Sequence, residues 1–315
     1  MLADSLAIAG GLVLLVAGAD AFVRGAAALA LRFGLPPLAV GLTVVAFGTS
    51  APELAVSLEA ALAGSGGLAL GNVLGSNVAN VGLILGLAAL VRSAAVEPAL
   101  LRRDVPVMLA ASVALGALLL DGRLGRLDGA LLLLGLGLYL RLTLKRSSTG
   151  TPDAPVLPET AGSGMSPTWR TAALTLGGLG ALVFGADRLI AGATGVAASF
   201  GVPEAVVGLT LVAVGTSLPE LATSLVAALR GESDLAVGNV VGSNIFNVFG
   251  VLGASALAAP LAASPGGAEA TLVAAAAVVG AAVLAGALMW TGRRVERWEG
   301  AVLLGAYGAY VAAVL

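Results

Sequence analysis

One stretch of this 315-residue chain occurs twice. Residues 41–60, GLTVVAFGTSAPELAVSLEA, recur as 208–227, GLTLVAVGTSLPELATSLVA, and 71–80, GNVLGSNVAN, recur as 238–247, GNVVGSNIFN. One offset of 167 residues relates both pairs without a gap, and it also carries Gly18-Ala19-Asp20 onto Gly185-Ala186-Asp187 and Phe33-Gly34 onto Phe200-Gly201. The chain therefore consists of two equivalent halves, and a residue that carries function in one half should have a twin in the other.

What the halves are made of follows from composition. Hydrophobic residues make up 58% of the chain and charged residues 11%, against about a quarter charged in a soluble domain. Too little charge is present to coat a globule or to keep a chain disordered. The net charge of −2 excludes the basic surface that nucleic acids require. With no cysteine and no histidine, disulfides, thiolate or imidazole metal sites, Cys/His nucleophilic pairs and the ordinary near-neutral proton shuttle are excluded too. A polytopic membrane protein remains. Runs long enough to cross a hydrocarbon core lie at roughly 5–31, 36–62, 68–91, 104–120, 124–144, 169–198, 204–229, 235–259, 268–290 and 298–315. They are separated by charge, proline or glycine, as at Leu35-Pro36-Pro37, Arg102-Arg103-Asp104 and Arg293-Arg294. The runs are continuous, without the period-two alternation of a β-barrel. The first lacks a basic leading region, carries Asp4 and runs too long for a signal peptide, so it reads as a retained helix.

Ten runs in two copies means five per copy, and an odd number forces the second copy to enter the membrane the other way up. The predicted fold is all-α: ten transmembrane helices as two inverted-topology five-helix repeats, 1–144 and 169–315, with helices 2 and 7 broken. Residues 145–168 (KRSSTGTPDAPVLPETAGSGMSPT) read as a flexible cytoplasmic linker, rich in Pro, Gly, Ser and Thr. Lys/Arg bias sets the orientation. With the N-terminus outside, the cytoplasmic side holds Arg32, Arg92, Arg102, Arg103, Arg141, Lys145, Arg146, Arg170, Arg230, Arg293, Arg294 and Arg297, and the other side only Arg123 and Arg126. Both termini are thus expected outside. Inverted repeats build secondary transporters with a site near the midplane, and they also build channels.

The second and seventh runs carry GTSAPE (48–53) and GTSLPE (215–220). Pro52 and Pro219 lack an N–H and clash with the carbonyl four residues back. Ser50 with Glu53, and Ser217 with Glu220, have the spacing of a capping box, a helix-start signal. A helix that stops and restarts inside the membrane is tolerated only where protein or a water-filled cavity satisfies its backbone. A single copy would read equally well as a proline kink. However, an acid at mid-membrane costs about 2.5–3.5 kcal/mol, here twice at equivalent positions, with no basic residue in either motif. A cation is the natural partner.

In the third and eighth runs, Asn72, Ser76 and Asn80 form one stripe at i, i+4 and i+8, repeated by Asn239, Ser243 and Asn247. Gly71 and Gly75, with Gly238 and Gly242, form small-xxx-small pairs for close helix approach. Asn72 and Asn239 fit interhelical hydrogen bonding and ion ligation equally well, whereas the deeper Asn80 and Asn247 favour ligation. The whole inventory is carboxylates, hydroxyls, amide oxygens and carbonyls freed by the breaks. Oxygen alone suits hard cations: Ca²⁺ takes 6–8 such ligands and Na⁺ accepts the same ones. Two glutamates balance one Ca²⁺ or two Na⁺.

The paired GTS-x-PE and GN-x-x-GSN-x-x-N motifs resemble the two α-repeats of the sodium/calcium exchanger family, within the cation/Ca²⁺ antiporters, and the resemblance covers all ten runs. It implies a compact bacterial exchanger of the inner membrane that exports Ca²⁺ against Na⁺, electrogenically, by alternating access. It implies that Glu53 and Glu220 are the central Ca²⁺ ligands, shared with Na⁺. Thr49, Ser50, Thr216 and Ser217, with the carbonyls of Ala46 and Ala213, would line neighbouring Na⁺ positions, and Ser76, Asn80, Ser243 and Asn247 would complete the site. Some prokaryotic relatives have an aspartate where this chain has Asn247, which bears on ion count. Expected partners are Ca²⁺, Na⁺ and the lipid bilayer, with no nucleic acid, no obligatory protein partner, no cofactor and no enzymatic activity. H⁺/Ca²⁺ exchange, K⁺ co-transport and a passive cation channel are the alternatives. Outside the site, Asp20 with Arg24 and Asp187 with Arg188 read as structural ion pairs. Glu59, whose twin is Val226, reads as a residue at a water-accessible edge.

Overall fold

In a chain this apolar, backbone groups have to satisfy one another within each run, and helices are the result. The computed structural model describes residues 2–147, 168–200, 213–263 and 267–314. Most of the expected linker, and the beginning of the seventh run, lie outside them. The helices are α1 (Leu2–Phe33), α2 (Pro37–Thr49), α3 (Ala51–Leu62), α4 (Gly66–Val91), α5 (Leu100–Asp121) and α6 (Arg126–Ser147) in the first half. In the second they are α7 (Thr168–Ser199), α8 (Ala213–Thr216), α9 (Leu218–Arg230), α10 (Ser233–Ala258), α11 (Ala268–Trp290) and α12 (Arg297–Val314). Among the described residues, seven helices are long and apolar enough to cross a membrane, and the bent pair α2–α3 makes an eighth. The remaining two expected spans correspond to α8–α9, whose run begins outside the described residues, and to α12, whose first turn holds Arg297 and Glu299.

One expected break is not a break. Arg102, Arg103 and Asp104 form part of the wide first turn of α5, Leu100–Asp104. Both arginines face outward, and Asp104 is buried with the Tyr139 hydroxyl donating to it at 3.2 Å. The helix can therefore start early without stranding a charge.

Burial separates centre from rim. The apolar windows of α4 and α10 are 78% and 83% buried, whereas those of α1, α5, α6, α7 and α11 range from 17% to 39%. Rim helices show leucines outward, such as Leu127, Leu131, Leu134 and Leu138 on α6. In water this surface would be an aggregation patch; hydrocarbon is the solvent it suits.

Glycine lets α1 and α7 pack backbone to backbone. A Cβ on Gly11 would stand 2.7 Å from the Gly185 carbonyl oxygen, and one on Gly18 would stand 2.9 Å from that of Gly178. Ascending α1 thus meets descending α7, so these two equivalent helices run antiparallel. Further contacts interlock the halves. Gly129 of α6 lies against Gly253 and Leu257 of α10, and Gly300 of α12 lies against Gly86 and Leu90 of α4. Short strands do the same: β1 (Ala94–Ala95) pairs antiparallel with β4 (Arg294–Val295), and β2 (Arg123–Leu124) with β3 (Leu261–Ala262).

The expected glycine seams on the central helices divide. Gly238 and Gly242 are closely approached by α2, the latter by Leu42 and Ala46 at 2.8 Å. Gly71 and Gly75 have no such neighbour among the described residues, and the residues equivalent to that stretch of α2 lie largely outside them.

Candidate cation site

The break between α2 and α3 bends the chain by 45°. Ser50 sits at the corner with φ −81° and ψ 8°, and Ser217, between α8 and α9, has φ −86° and ψ 6°. Pro52 and Pro219 follow within the first turn of α3 and α9. The two halves thus make the same turn with the same residue types.

The expected capping boxes do not form, since neither serine side chain caps its own helix. Ser50 Oγ instead donates to Glu220 Oε1 at 2.8 Å, and Ser217 Oγ donates to Glu53 Oε1 at 3.0 Å. A buried carboxylate is a stronger acceptor than the local geometry offers, so each serine serves the glutamate of the other half. Both glutamates are 0% exposed, and among the described residues neither has a basic partner.

The flanking threonines cross the same boundary. Thr49 Oγ1 reaches Asn239 Oδ1 at 3.1 Å and Thr216 Oγ1 reaches Asn72 Oδ1 at 3.3 Å. Asn72 Nδ2 donates to Ser57 Oγ (2.9 Å) and to the Glu53 carbonyl (3.3 Å), and Asn239 Nδ2 does the same to Ser224 Oγ (2.9 Å) and the Glu220 carbonyl (3.4 Å). With every polar atom engaged, Asn72 and Asn239 act as interhelical bonds. The Ala46 carbonyl is not freed by the break: it accepts the Ser50 N–H at 3.0 Å. Ala213 opens α8.

Eight buried side-chain oxygens among the described residues have no hydrogen-bond partner. Six form three pairs at the repeat offset: Glu53 and Glu220 Oε2, Ser76 and Ser243 Oγ, and Asn80 and Asn247 Oδ1. Each unsatisfied buried polar atom costs roughly 1–3 kcal/mol. The six lie on four helices joined by the cross-half bonds above, all are oxygen, and two carry the acids' charge. A hard cation satisfies such a set, and no donor group on these side chains does. Wide turns begin at Asn80 (Asn80–Leu85) and Asn247 (Asn247–Leu252), a helix irregularity frequent at functional sites.

Two more asparagines join the halves at the centre. Asn80 Nδ2 donates to Asn244 Oδ1 at 3.0 Å and Asn247 Nδ2 to Asn77 Oδ1 at 3.1 Å. Asn77, Asn244, Ser57 and Ser224 were not among the expected site residues, although each recurs at the repeat offset. The other acids fall as expected. Glu59 is exposed, Asp187 pairs with Arg188 at 2.5 Å, and Asp20 pairs with Arg24 at 2.9 Å and also with Arg230 of α9.

The family model described as sodium/calcium exchanger protein matches residues 5–145 and 171–315. Over 314 residues the chain is 39% identical to the putative antiporter CaxA of Alkalimonas amylolytica, covering 98% of each protein. It is 44% identical over 267 residues to the inner membrane protein YrbG of Escherichia coli K12, covering 82% of this chain and 81% of that protein. The sodium/calcium exchanger MaX1 of Methanosarcina acetivorans is 34% identical over 340 residues, covering 96% and 95%. Among solved structures, the sodium-calcium exchanger NCX_Mj soaked with zero Na⁺ and Ca²⁺ superposes with a TM-score of 0.86 at 32% identity, covering 100% of this chain and 99% of that one.

Proposed function

The chain belongs to the sodium/calcium exchanger family, and from that premise we propose that it is a secondary-active antiporter exchanging Na⁺ for Ca²⁺ across the inner membrane. The observation that carries the reading is the set of six unpartnered buried oxygens in three repeat-related pairs. In this reading Glu53 and Glu220 bind Ca²⁺ directly. Ser76, Asn80, Ser243 and Asn247 add neutral oxygens toward the 6–8 that Ca²⁺ takes. Thr49, Ser50, Thr216 and Ser217, with the Ala213 carbonyl and the Ala46 carbonyl, whose oxygen can take a cation on its second lone pair while it accepts the Ser50 N–H, line adjacent Na⁺ positions. Among the described residues no third His, Cys, Asp or Glu joins the two glutamates. The site charge is therefore −2 when both are ionised, and one Ca²⁺ or two Na⁺ neutralise it. Ions that neutralise the same carboxylates compete, and competition is what couples two opposite fluxes.

Alternating access requires halves that can exchange roles. Ten spans in two inverted repeats, 1–144 and 169–315, with both termini outside and the 145–168 linker in the cytoplasm, supply them. The antiparallel packing of α1 against its equivalent α7 supports the inversion. The family resemblance extends to electrogenic export of Ca²⁺ down the Na⁺ gradient, which requires a further Na⁺ beyond the two that balance the glutamates.

Proteoliposomes loaded with Na⁺ and diluted into Na⁺-free medium are expected to accumulate ⁴⁵Ca²⁺. Glu53→Gln and Glu220→Gln should each abolish that uptake, and undiminished uptake in both would refute the site. Uptake driven by a pH gradient without Na⁺ would identify a proton-coupled exchanger instead, and repeating the assay with and without K⁺ reads K⁺ dependence.

A further inference from the structure

We propose that Asn77 and Asn244 are positioning residues that orient the Asn247 and Asn80 amides, each acting on the opposite half of the molecule, so that the amide oxygens are the atoms presented to the cation. The proposal rests on the cation-site reading above. A primary amide can flip, presenting oxygen or NH₂ to a site with little change in shape, and only its hydrogen bonds decide between them. In this protein the decision traces to backbone carbonyls, which cannot donate. Asn77 Nδ2 faces the Asn244 carbonyl at 3.5 Å, and Asn244 Nδ2 faces the Asn77 carbonyl at 3.4 Å. Asn244 Nδ2 also lies 3.7 Å from Met108 Sδ, another acceptor. Each NH₂ is therefore committed, and the opposite atom, Oδ1, has to face away from the carbonyl.

Those oxygens accept from Asn247 Nδ2 (3.1 Å, on Asn77) and Asn80 Nδ2 (3.0 Å, on Asn244). The orientation passes along the chain of bonds, leaving Asn80 Oδ1 and Asn247 Oδ1 as buried acceptors with no partner among the described residues. A flipped Asn80 or Asn247 would set two oxygens against each other at about 3 Å and turn an NH₂ toward a site meant for a cation. Asn77 and Asn80 lie on the same helix, yet the bonds link Asn77 to Asn247 and Asn244 to Asn80.

That crossing sets the test, a double-mutant cycle on the K0.5 for Ca²⁺ in the proteoliposome assay, using the full chain. Asn77→Ala is expected to raise K0.5 roughly three- to tenfold, the value of one neutral hydrogen bond. Its effect should largely vanish in an Asn247→Ala background, where there is no amide left to orient, and persist in full in an Asn80→Ala background. Asn244→Ala should show the mirror image, coupling to Asn80 and independent of Asn247. Where a K0.5 is too high for flux, the Ca²⁺-induced rise in melting temperature supplies the constant. Should Asn77→Ala fail to fold, Asn77→Leu, which keeps the volume, or the Asn244 cycle takes its place. A purely structural role would make Asn77→Ala multiply with both partners alike, and that result overturns the proposal. Glu53→Gln is measured alongside: if it abolishes Ca²⁺ binding while the cycle is multiplicative, positioning alone falls. If Glu53→Gln leaves Ca²⁺ binding intact, the cation site falls and the proposal with it.

Discussion

Ser243 and Thr223 both place a hydroxyl in the interior with no partner among the described residues, yet only one has a twin. Ser243 repeats Ser76, whereas the residue equivalent to Thr223 is Val56. If unpartnered oxygens exist to hold an ion, the unrepeated one carries only its burial penalty. Replacing Thr223 with the isosteric valine removes a desolvated hydroxyl worth about 1 kcal/mol. It should leave Na⁺-driven Ca²⁺ uptake unchanged while raising the melting temperature by about 2 °C. Ser243→Ala should differ in activity, weakening uptake several-fold while keeping the melting temperature or raising it slightly. Equal losses of uptake in both variants would mean that repetition does not mark the site. The acids and hydroxyls of the site were legible in the sequence for that same reason, because repetition singled them out. What they bond to was not. S-x-x-E spacing is a local rule for capping one's own helix, and Ser50 breaks it because the opposite half brings a buried carboxylate within 2.8 Å.

Helix packing obeys the same distinction. Gly11, Gly18 and Gly25 recur as Gly178, Gly185 and Gly192, and this seven-residue glycine spacing was open to reading as one helix face. Which helix that face meets was not, because the choice of α7 depends on how the halves assemble. Helix existence was legible nearly throughout from apolar runs of spanning length. A boundary such as Arg102-Arg103-Asp104 was not, since Asp104 lies inside the first turn of α5 and accepts the Tyr139 hydroxyl of α6. Adjacent residues of α1 separate the packing effect cleanly. A Cβ on Gly11 would meet Leu189 N at 2.6 Å and Gly185 O at 2.7 Å, both backbone atoms that cannot swing aside, whereas one on Gly10 meets nothing within 4 Å among the described residues. Gly11→Val should therefore destabilise by about 1–3 kcal/mol, the range for overpacking, and Gly10→Val by far less. Thermal unfolding of the two purified variants compares them directly, and equal melting temperatures would mean that α1 and α7 are not this close.

At the scale of the whole molecule, the halves also meet outside the spans. Arg92, just past α4, lies with its guanidinium about 3 Å from where a Gly231 side chain would begin, bringing the loop before α5 against the turn between α9 and α10. Burial pushes the carboxyls of Glu97 in that loop and Glu232 in that turn above the ordinary 4.5, and the negative charge of Asp234 pushes both further. Arg103 acts against the rise at Glu97, and Arg230 does so at Glu232. Raised values mean that the folded protein holds these protons more tightly than the unfolded chain does. Their contribution to stability is thus fully present below the ordinary value and is lost as pH rises through the raised folded values. The junction between the halves should therefore loosen toward neutral pH through these two groups. A Glu97→Gln/Glu232→Gln variant carries neutral side chains at every pH and escapes that loss. Its melting temperature should match that of the native chain near pH 4.5 and exceed it by a widening margin as pH approaches neutrality, most clearly at low salt, where screening is weak. A margin that stays constant across that interval would show that neither carboxylate changes its proton occupancy on folding.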